Sequence, residues 1–346
     1  MTHLTRAIAT LTLLLMGLTG AIAETDLYSG DVIVASQSEV DRNEALPVAL
    51  SQVLQKLTGL GQLPATEVLE DSLMAASNYL LSYRYQSVEH LDPQGDTVRK
   101  LHLIARFLPE EVDKLVQSSE LPRWPQQRPA VQIWVVVDNG LGRVLKPLEY
   151  EFAWQATEQA AADRGLPIVW PDLDDEEIQL IDTSLVWGGF TDYLIEKGAP
   201  PDGVAIVAAG RSGPYWNLRW ALTSEQQNWN WVSSDTQLSS AMTSGIQQMV
   251  DNLAAANAIK ASDQGQWTHN IAVTNLLSAA DYARCLNYLQ EMSLITDVEI
   301  MGAEPGLVRF RLQLNASPDY LTEAFTRGSV LLPSSPGSRN DFEYLR

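Results

Sequence analysis

Two stretches of this sequence, VQIWVVV (131–137) and VAIVAA (204–209), are apolar at almost every position. A strand wetted on one face alternates apolar with polar, so an unbroken apolar run belongs in a sheet covered on both faces, the usual setting of parallel strands joined by helices. The chain around them fits that plan. A helical pattern covers about 148–164, the short apolar strand LPIVW occupies 166–170, and a further helix begins at about Glu176. Strands alternating with helices imply βαβ units. A tryptophan-rich hairpin, YWNLRWALTSEQQNWNWVSS (215–234), comes next. It is followed by a helix from about Ser239 to Ala258 that carries Met242, Ile246, Met249, Val250 and Leu253 at helical spacing. The result is a middle α/β domain over 131–265.

Smaller units flank it. DVIVAS (31–36) reads as a strand, and Ser38 with Asp41 three residues on opens a helix that Gly59 stops. Pro47 is the misfit, predicted to kink that helix or mark its true start. LSYRYQSVE and VRKLHLIARF alternate around the turn-rich DPQGD, and PEEVDKLVQ supplies a second helix after Leu108. The first domain is therefore β-α-β-β-α over 24–119. LPRWPQQRP holds three prolines in nine residues and predicts a semi-rigid linker over 120–130. Beyond the middle domain, HNIAVT is a strand, and Ser278 with Asp281 caps a helix. ITDVEIM and LVRFRLQL pair around AEPG, and a last helix runs from Ser317 and Pro318 to Gly328. This is a second β-α-β-β-α unit, ferredoxin-like, over 266–332. The tail PSSPGSRNDFEYLR (333–346) is expected to be disordered. The fold class is thus α/β and α+β, three small domains in series.

The opening MTHLTRAIATLTLLLMGLTGAIAE has one arginine, an apolar run from Ala7 to about Ile22, and the small-residue pair Ala21 and Ala23. That pattern predicts a secretory signal peptide (1–23) cleaved after Ala23. The run is interrupted by Thr and Gly and falls short of the roughly 20 residues a spanning helix needs. No membrane span is expected in the mature chain. The single Cys285 rules out an intramolecular disulfide and is expected to be buried. With 43 acidic against 23 basic residues, the surface repels nucleic acid and anionic headgroups.

Little in the chain reads as chemistry. If the tryptophan hairpin turns at Glu225–Asn228, Leu222 faces Trp231, and Trp216, Trp220, Trp229 and Trp231 share one face. Leaving four tryptophans wet would forgo on the order of 10 kcal/mol, so that face is expected in a core. A carbohydrate platform is the alternative. Gly140-Leu141-Gly142 follows a buried strand, yet Leu145 stands where a dinucleotide fingerprint has its third glycine. DLDDEE (172–177) lacks the central glycine of a calcium loop, and Asp174 with Glu177 is explained as a helix cap. Gly210-Arg211-Ser212-Gly213-Pro214 has Pro where a nucleophile elbow needs Gly. His90, His102 and His269 show no ligand spacing, so neither a metal nor a cofactor is called for. The one candidate ligand cleft lies at the carboxyl ends of the middle strands, where open α/β sheets form crevices. Asp138, Asn139, Asp172, Arg211 and Ser212 would converge there.

Five separated segments, EALPVALSQVLQKLTG, IWVVVDNGLGRVL, AADRGLPIVWPDLDD, WNLRWAL and DYARCLNYLQEMSLITDVEI, together resemble an uncharacterised proteobacterial exported family, domain of unknown function 2066. The resemblance implies a Gram-negative periplasmic location and carries no catalytic residue to transfer. The strand and helix order of the middle domain is similar, more weakly, to the amino-terminal domain of the Tol-Pal protein B and to the flagellar basal-body ring protein T. Those proteins dock to envelope assemblies. The combined expectation is a non-catalytic periplasmic interaction or assembly protein with an envelope protein partner. A small-ligand or glycan-binding protein is the alternative. The mature protein is predicted to begin at Glu24, which intact-mass measurement of material purified from the native host checks; retention of residues 1–23 would refute it.

Overall fold

A computed structural model describes residues 26–92, 95–126, 128, 130–200, 203–224, 227–328 and 330–345. The expected signal peptide lies outside them. The described residues form a mixed α/β structure built on three sheets.

The first sheet has the order β1-β3-β2, all antiparallel, from β1 (Ser29–Val34), β2 (Leu80–Leu91) and β3 (Thr97–Phe107). Helix α1 (Glu39–Thr58) packs on it, opened by the Ser38 hydroxyl accepting from the Asp41 amide and closed by Gly59 in the left-handed region. Pro47 sits inside this helix, so it does not mark the start. It withholds one backbone donor from the Asn43 carbonyl. Gly30 is fixed by the packing of α1, because a Cβ there would stand 2.4 Å from the Ala49 carbonyl oxygen. Sequence periodicity misses α2 (Glu67–Met74), whose single buried residue, Leu69, gives almost no stripe to detect. Helix α3 (Pro109–Ser118) completes the unit.

The middle sheet has β4 (Val131–Asp138) at its centre, parallel to β6 (Ile168–Val169) and to β7 (Val204–Ser212). The short β5 (Arg143–Leu145) folds back on β4. Successive residues of β4 and β7 enter different cores. Ile133, Val135, Ala205 and Val207 pack on one side, Trp134, Val136, Val204 and Ile206 on the other, which is why both runs lack alternation. Helix α4 (Glu151–Asp163) covers the first side, and the short helices α5 (Asp175–Leu180), α6 (Thr183–Trp187) and α7 (Thr191–Glu196) cover the second. The Asp174–Glu177 capping box is formed at the start of α5.

Strands β8 (Tyr215–Ser224) and β9 (Gln227–Asp235) extend the sheet, and α8 (Leu238–Asn257) lies beneath them. The register differs from expectation by two residues: Leu222 pairs with Trp229 and Trp220 with Trp231. Ser224 pairs with Gln227, so the loop has two residues instead of four. A slip of two preserves side-chain parity, and the expected face survives. Trp216 and Trp220 are buried, and Trp229 and Trp231 pack against the same core.

The third sheet has the order β11-β12-β10-β14-β13. Its strands are β10 (Gln264–Leu276), β11 (Ile295–Glu304), β12 (Gly306–Ala316), β13 (Leu331–Pro333) and β14 (Asp341–Tyr344), with helices α9 (Ala279–Glu291) and α10 (Asp319–Gly328). Ser278 caps α9 as expected, and Cys285 is buried. The disordered tail is corrected: β14 runs parallel to β10, and Phe342 and Tyr344 enter the core, Phe342 edge-on to Phe325 at 4.8 Å between centroids. The alternation in DFEY carries this strand, behind a Pro- and Ser-rich approach that obscured it.

The expected linker is also corrected. Arg123 forms a two-sided β-bridge with Ile259, and Trp124 is buried in the middle core.

Trp220 generates the sharpest test of this packing. Its indole lies parallel to that of Trp231, 5.5 Å between centroids, and donates to the Ser233 hydroxyl. A Cβ on Gly245 of α8 would sit 2.0 Å from that ring. Gly245→Ala is therefore expected to lower stability by roughly 1–3 kcal/mol through overpacking, although Ala favours helix by about 1 kcal/mol. Trp220→Ala should cost roughly 3–5 kcal/mol. Denaturant unfolding checks both, and a Gly245→Ala protein as stable as the parent would refute the contact.

Candidate functional site

The five residues expected to line a cleft are held by local structure. Asp138 ends β4 beside Gly210 of β7, so Arg211 and Ser212 do lie at the same end of the sheet. Their polar groups have nearby roles, however. The Asp138 carboxylate accepts from the Gly140 amide, and the Asn139 side chain accepts from the Leu141 amide, tightening the turn. Gly140 adopts φ 84°, so the Gly-Leu-Gly stretch works as a turn. The Arg211 guanidinium stands 5.5 Å from the Trp216 ring. Asp172 follows β6, which pairs with Val131 and Gln132 at the opposite end of β4, so the ladder does not carry it to Asp138. None of the five lines either of the two cavities described below.

The structure instead brings together residues that spacing kept apart. His102 on β3 donates through Nδ1 to the Asp31 carboxylate of β1 at 2.7 Å. This leaves its Nε2 to face the Nε2 of His90, on β2, at 2.8 Å. The imidazole planes differ by 9° and their centroids lie 5.0 Å apart, close to the N–N distance plus two ring radii. The rings therefore meet head to head, nearly coplanar, with an N–H of one aimed at the lone pair of the other. With Asp31 fixing the proton on Nδ1 of His102, His90 is the donor of that bond. The parity of the β2–β3 hairpin was the available signal, since 90 and 102 share a face when 90 pairs with 98. Among the described residues, no cluster of three or more His, Cys, Asp or Glu side chains is arranged to hold a metal ion.

This chain sits over a buried polar seam. Lys56 of α1 is buried and donates to the Ser29 carbonyl at 2.9 Å, while burial lowers its basicity. Asp163, at the end of α4, is pushed above the usual carboxylate range by burial. His90 is shifted down by desolvation, then by His102 and Lys100, with Asp31 opposing.

Two cavities lined by described residues open elsewhere. One, of about 810 Å3, lies between the loop after α1 and helix α8, lined by Gly59, Leu60, Gly61, Arg164, Asp251 and Lys260 among others. Arg164 is buried there, donating to the Gly59 carbonyl at 2.9 Å and to Asp251 at 2.7 Å, and it also bonds Gln247. The other, of about 280 Å3, lies on the second face of the middle sheet, between Trp187 at the end of α6 and strands β8 and β9. Trp187 forms its wall, with the Arg143 and Arg219 guanidinium groups 4.7 and 5.3 Å from its ring.

Among the described residues, no helix is long and apolar enough to cross a membrane. Residues 21–125 match a family described as a domain of unknown function (DUF8605). No curated protein and no solved structure matches the chain.

The histidine pair makes a pH prediction. A folded-state pKa below the unfolded value means that the native state binds fewer protons, so stability falls as pH drops through the ordinary histidine range. Asp163, shifted upward, has the opposite sign in acid. Comparing wild type with His90→Gln isolates the histidine. From pH 7.5 to 5.5 the wild-type melting midpoint is expected to drop more steeply than that of the variant; parallel profiles would show that His90 makes no contribution.

Proposed function

We propose that this chain is a non-catalytic interaction or assembly protein of the Gram-negative periplasm, exported by a cleaved signal peptide and docking to an envelope protein. The carrying observation is the unfinished side of the middle sheet. Helices α5–α7 cover its second face over β4 and β7 and reach part of β8, where Thr191 bonds Thr223 and Ala221 packs on their core, but β9 is left bare, with Val232 76 % exposed and β9 at the open edge. The resemblance to domain of unknown function 2066, and the fold likeness to the Tol-Pal protein B and flagellar ring protein T, supports docking over chemistry.

Small-ligand binding is the second reading. The groove beside Arg164 favours it over the strand ends, because its volume is near the range of ligand sites.

Site-specific photocrosslinking in intact cells separates the two. A photoreactive residue at Asn228 or Val232 is expected to give one discrete adduct with an envelope protein, and one at Gln62 none. No adduct at the hairpin, together with a thermal shift on adding periplasmic extract metabolites below 1 kDa, would favour the ligand reading instead.

A further inference from the structure

Among the described residues the three sheets present six edges, one of them shared by β5 and the two-residue β6, and five of the six carry a device against pairing with another chain. Edge β1 is covered by α1. The Gln52 amide accepts from the Asp31 N–H and donates to the Asp31 carbonyl, and Lys56 bonds the Ser29 carbonyl. Edge β2 has an irregular register at Leu80–Ser82, carries Arg84 and Glu89, and meets α4 where Gln155 accepts from the Leu91 amide. Edges β5 and β13 are three residues long, and β13 ends in Pro333. Edge β11 has two register shifts and the charges of Asp297, Glu299 and Glu304.

Edge β9 has none of these. Its nine residues pair with β8 without a register break, it contains neither proline nor lysine, and its single charge, Asp235, stands at the end. Alternate residues of a strand direct their N–H and C=O groups away from the neighbour, so this edge offers a regular row of donors and acceptors. Among the described residues, no backbone hydrogen bond outside the β8–β9 ladder engages β9.

The adjoining face has a chemistry unlike the rest of the chain. Parity assigns Tyr215, Asn217, Arg219, Ala221 and Thr223 of β8 to it, together with Asn228, Asn230, Val232 and Ser234 of β9. A chain with 43 acidic residues places no carboxylate among these nine and one arginine at their centre. Arg219 also lines the 280 Å3 cavity, alongside Ile206, Ala208, Asn230, Val232 and Trp187. Its guanidinium donates to the Trp187 carbonyl at 3.1 Å, and among the described residues no carboxylate forms an ion pair with it.

Resting on the docking reading above, we propose that β9 takes an extended peptide segment of another protein as an added strand. That segment carries an apolar side chain over Val232 and an acidic one directed toward Arg219. Main-chain pairing supplies affinity, and the side chains supply selectivity. The net charge of −20 disfavours a second copy of this chain as the occupant.

The test uses acetylated, amidated nonapeptides of alternating Thr and Val whose central residue is Glu, Gln or Lys. They are titrated against the mature protein and followed by hydrogen exchange. The Glu peptide is expected to bind about tenfold tighter than the Gln peptide, with the Lys peptide weakest, and to slow exchange at alternate β9 amides. Arg219→Gln should abolish the Glu preference. Val232→Lys, at a position already in solvent, should weaken all three. Binding that leaves β9 exchange unchanged, or an absent Glu preference, would overturn the proposal. So would β9 protection that rises with protein concentration alone, which identifies a second copy. A discrete crosslink at Val232 alongside any of these failures keeps the docking reading and discards the strand chemistry. Peptide binding without any cellular crosslink does the reverse.

Discussion

The arrangement of the first two units depends on what happens at the end of one helix. The last carbonyls of α1 have no intrahelical donors, and burying them unpaired would cost about 1–3 kcal/mol each. Three come from beyond the first domain. The Trp124 amide donates to the Leu57 carbonyl, Arg128 to the Lys56 carbonyl, and Arg164 to the Gly59 carbonyl. Arg128 stacks on the Trp124 ring at 3.8 Å and also donates to the Gly165 carbonyl. Pro122 and Pro125 suit the task, because their fixed φ leaves the chain little conformational freedom to lose. What composition marks as a spacer is the joint itself. The burial of Arg128 beside a second guanidinium depresses its basicity, and the carbonyls at the helix end offset that cost.

From this joint the middle sheet acquires two unlike faces. Trp220, wedged against the glycine notch of α8, closes one face so tightly that nothing larger fits. The opposite face is closed only as far as the short helices reach. Gly189, just past the end of α6, lies close to Ala221 of β8, Trp187 lies over Gly210, and Thr191 of α7 bonds Thr223, so the cover reaches β8 and stops short of β9. The first face carries the tryptophans. On the second face β8 and β9 present polar residues apart from Val232, Ala221 and Tyr215.

How much of this is legible in the sequence follows from the range of each signal. Caps are local, and Ser38, Asp174 and Ser278 all form as their spacing indicates. Side-chain parity is local too, so the tryptophan face is readable even with the hairpin register two residues off. Elements that gain stability only from distant partners are not readable. Leu69 alone anchors α2, Phe342 waits for Phe325, and the meeting of His90 with His102 depends on β1 delivering Asp31. The polarity of the candidate cleft residues has a local source. Polarity at strand ends is what marks them in the sequence, and the Asp138 and Asn139 side chains accept from amides of the turn after β4.

The placement of the few cations sharpens the contrast on the surface. Of 23 basic residues, Arg128 and Arg164 are committed to backbone carbonyls at the joint, Lys56 is buried against β1, and Arg143 lies over Trp187. Others are neutralised in place: Arg99 by Glu89, Arg309 by Glu304, Arg311 by Glu299 and Arg339 by Asp319. These pairings leave the net charge of −20 unchanged, so the long-range field is acidic. Such a field slows approach of any acidic partner at low ionic strength. A carboxylate that reaches the bare hairpin face meets Arg219 with no competing acid on that face. Selectivity for one acidic side chain on an otherwise neutral or basic segment arises from this combination: the far field rejects net negative partners, and the near field retains a single well-placed charge.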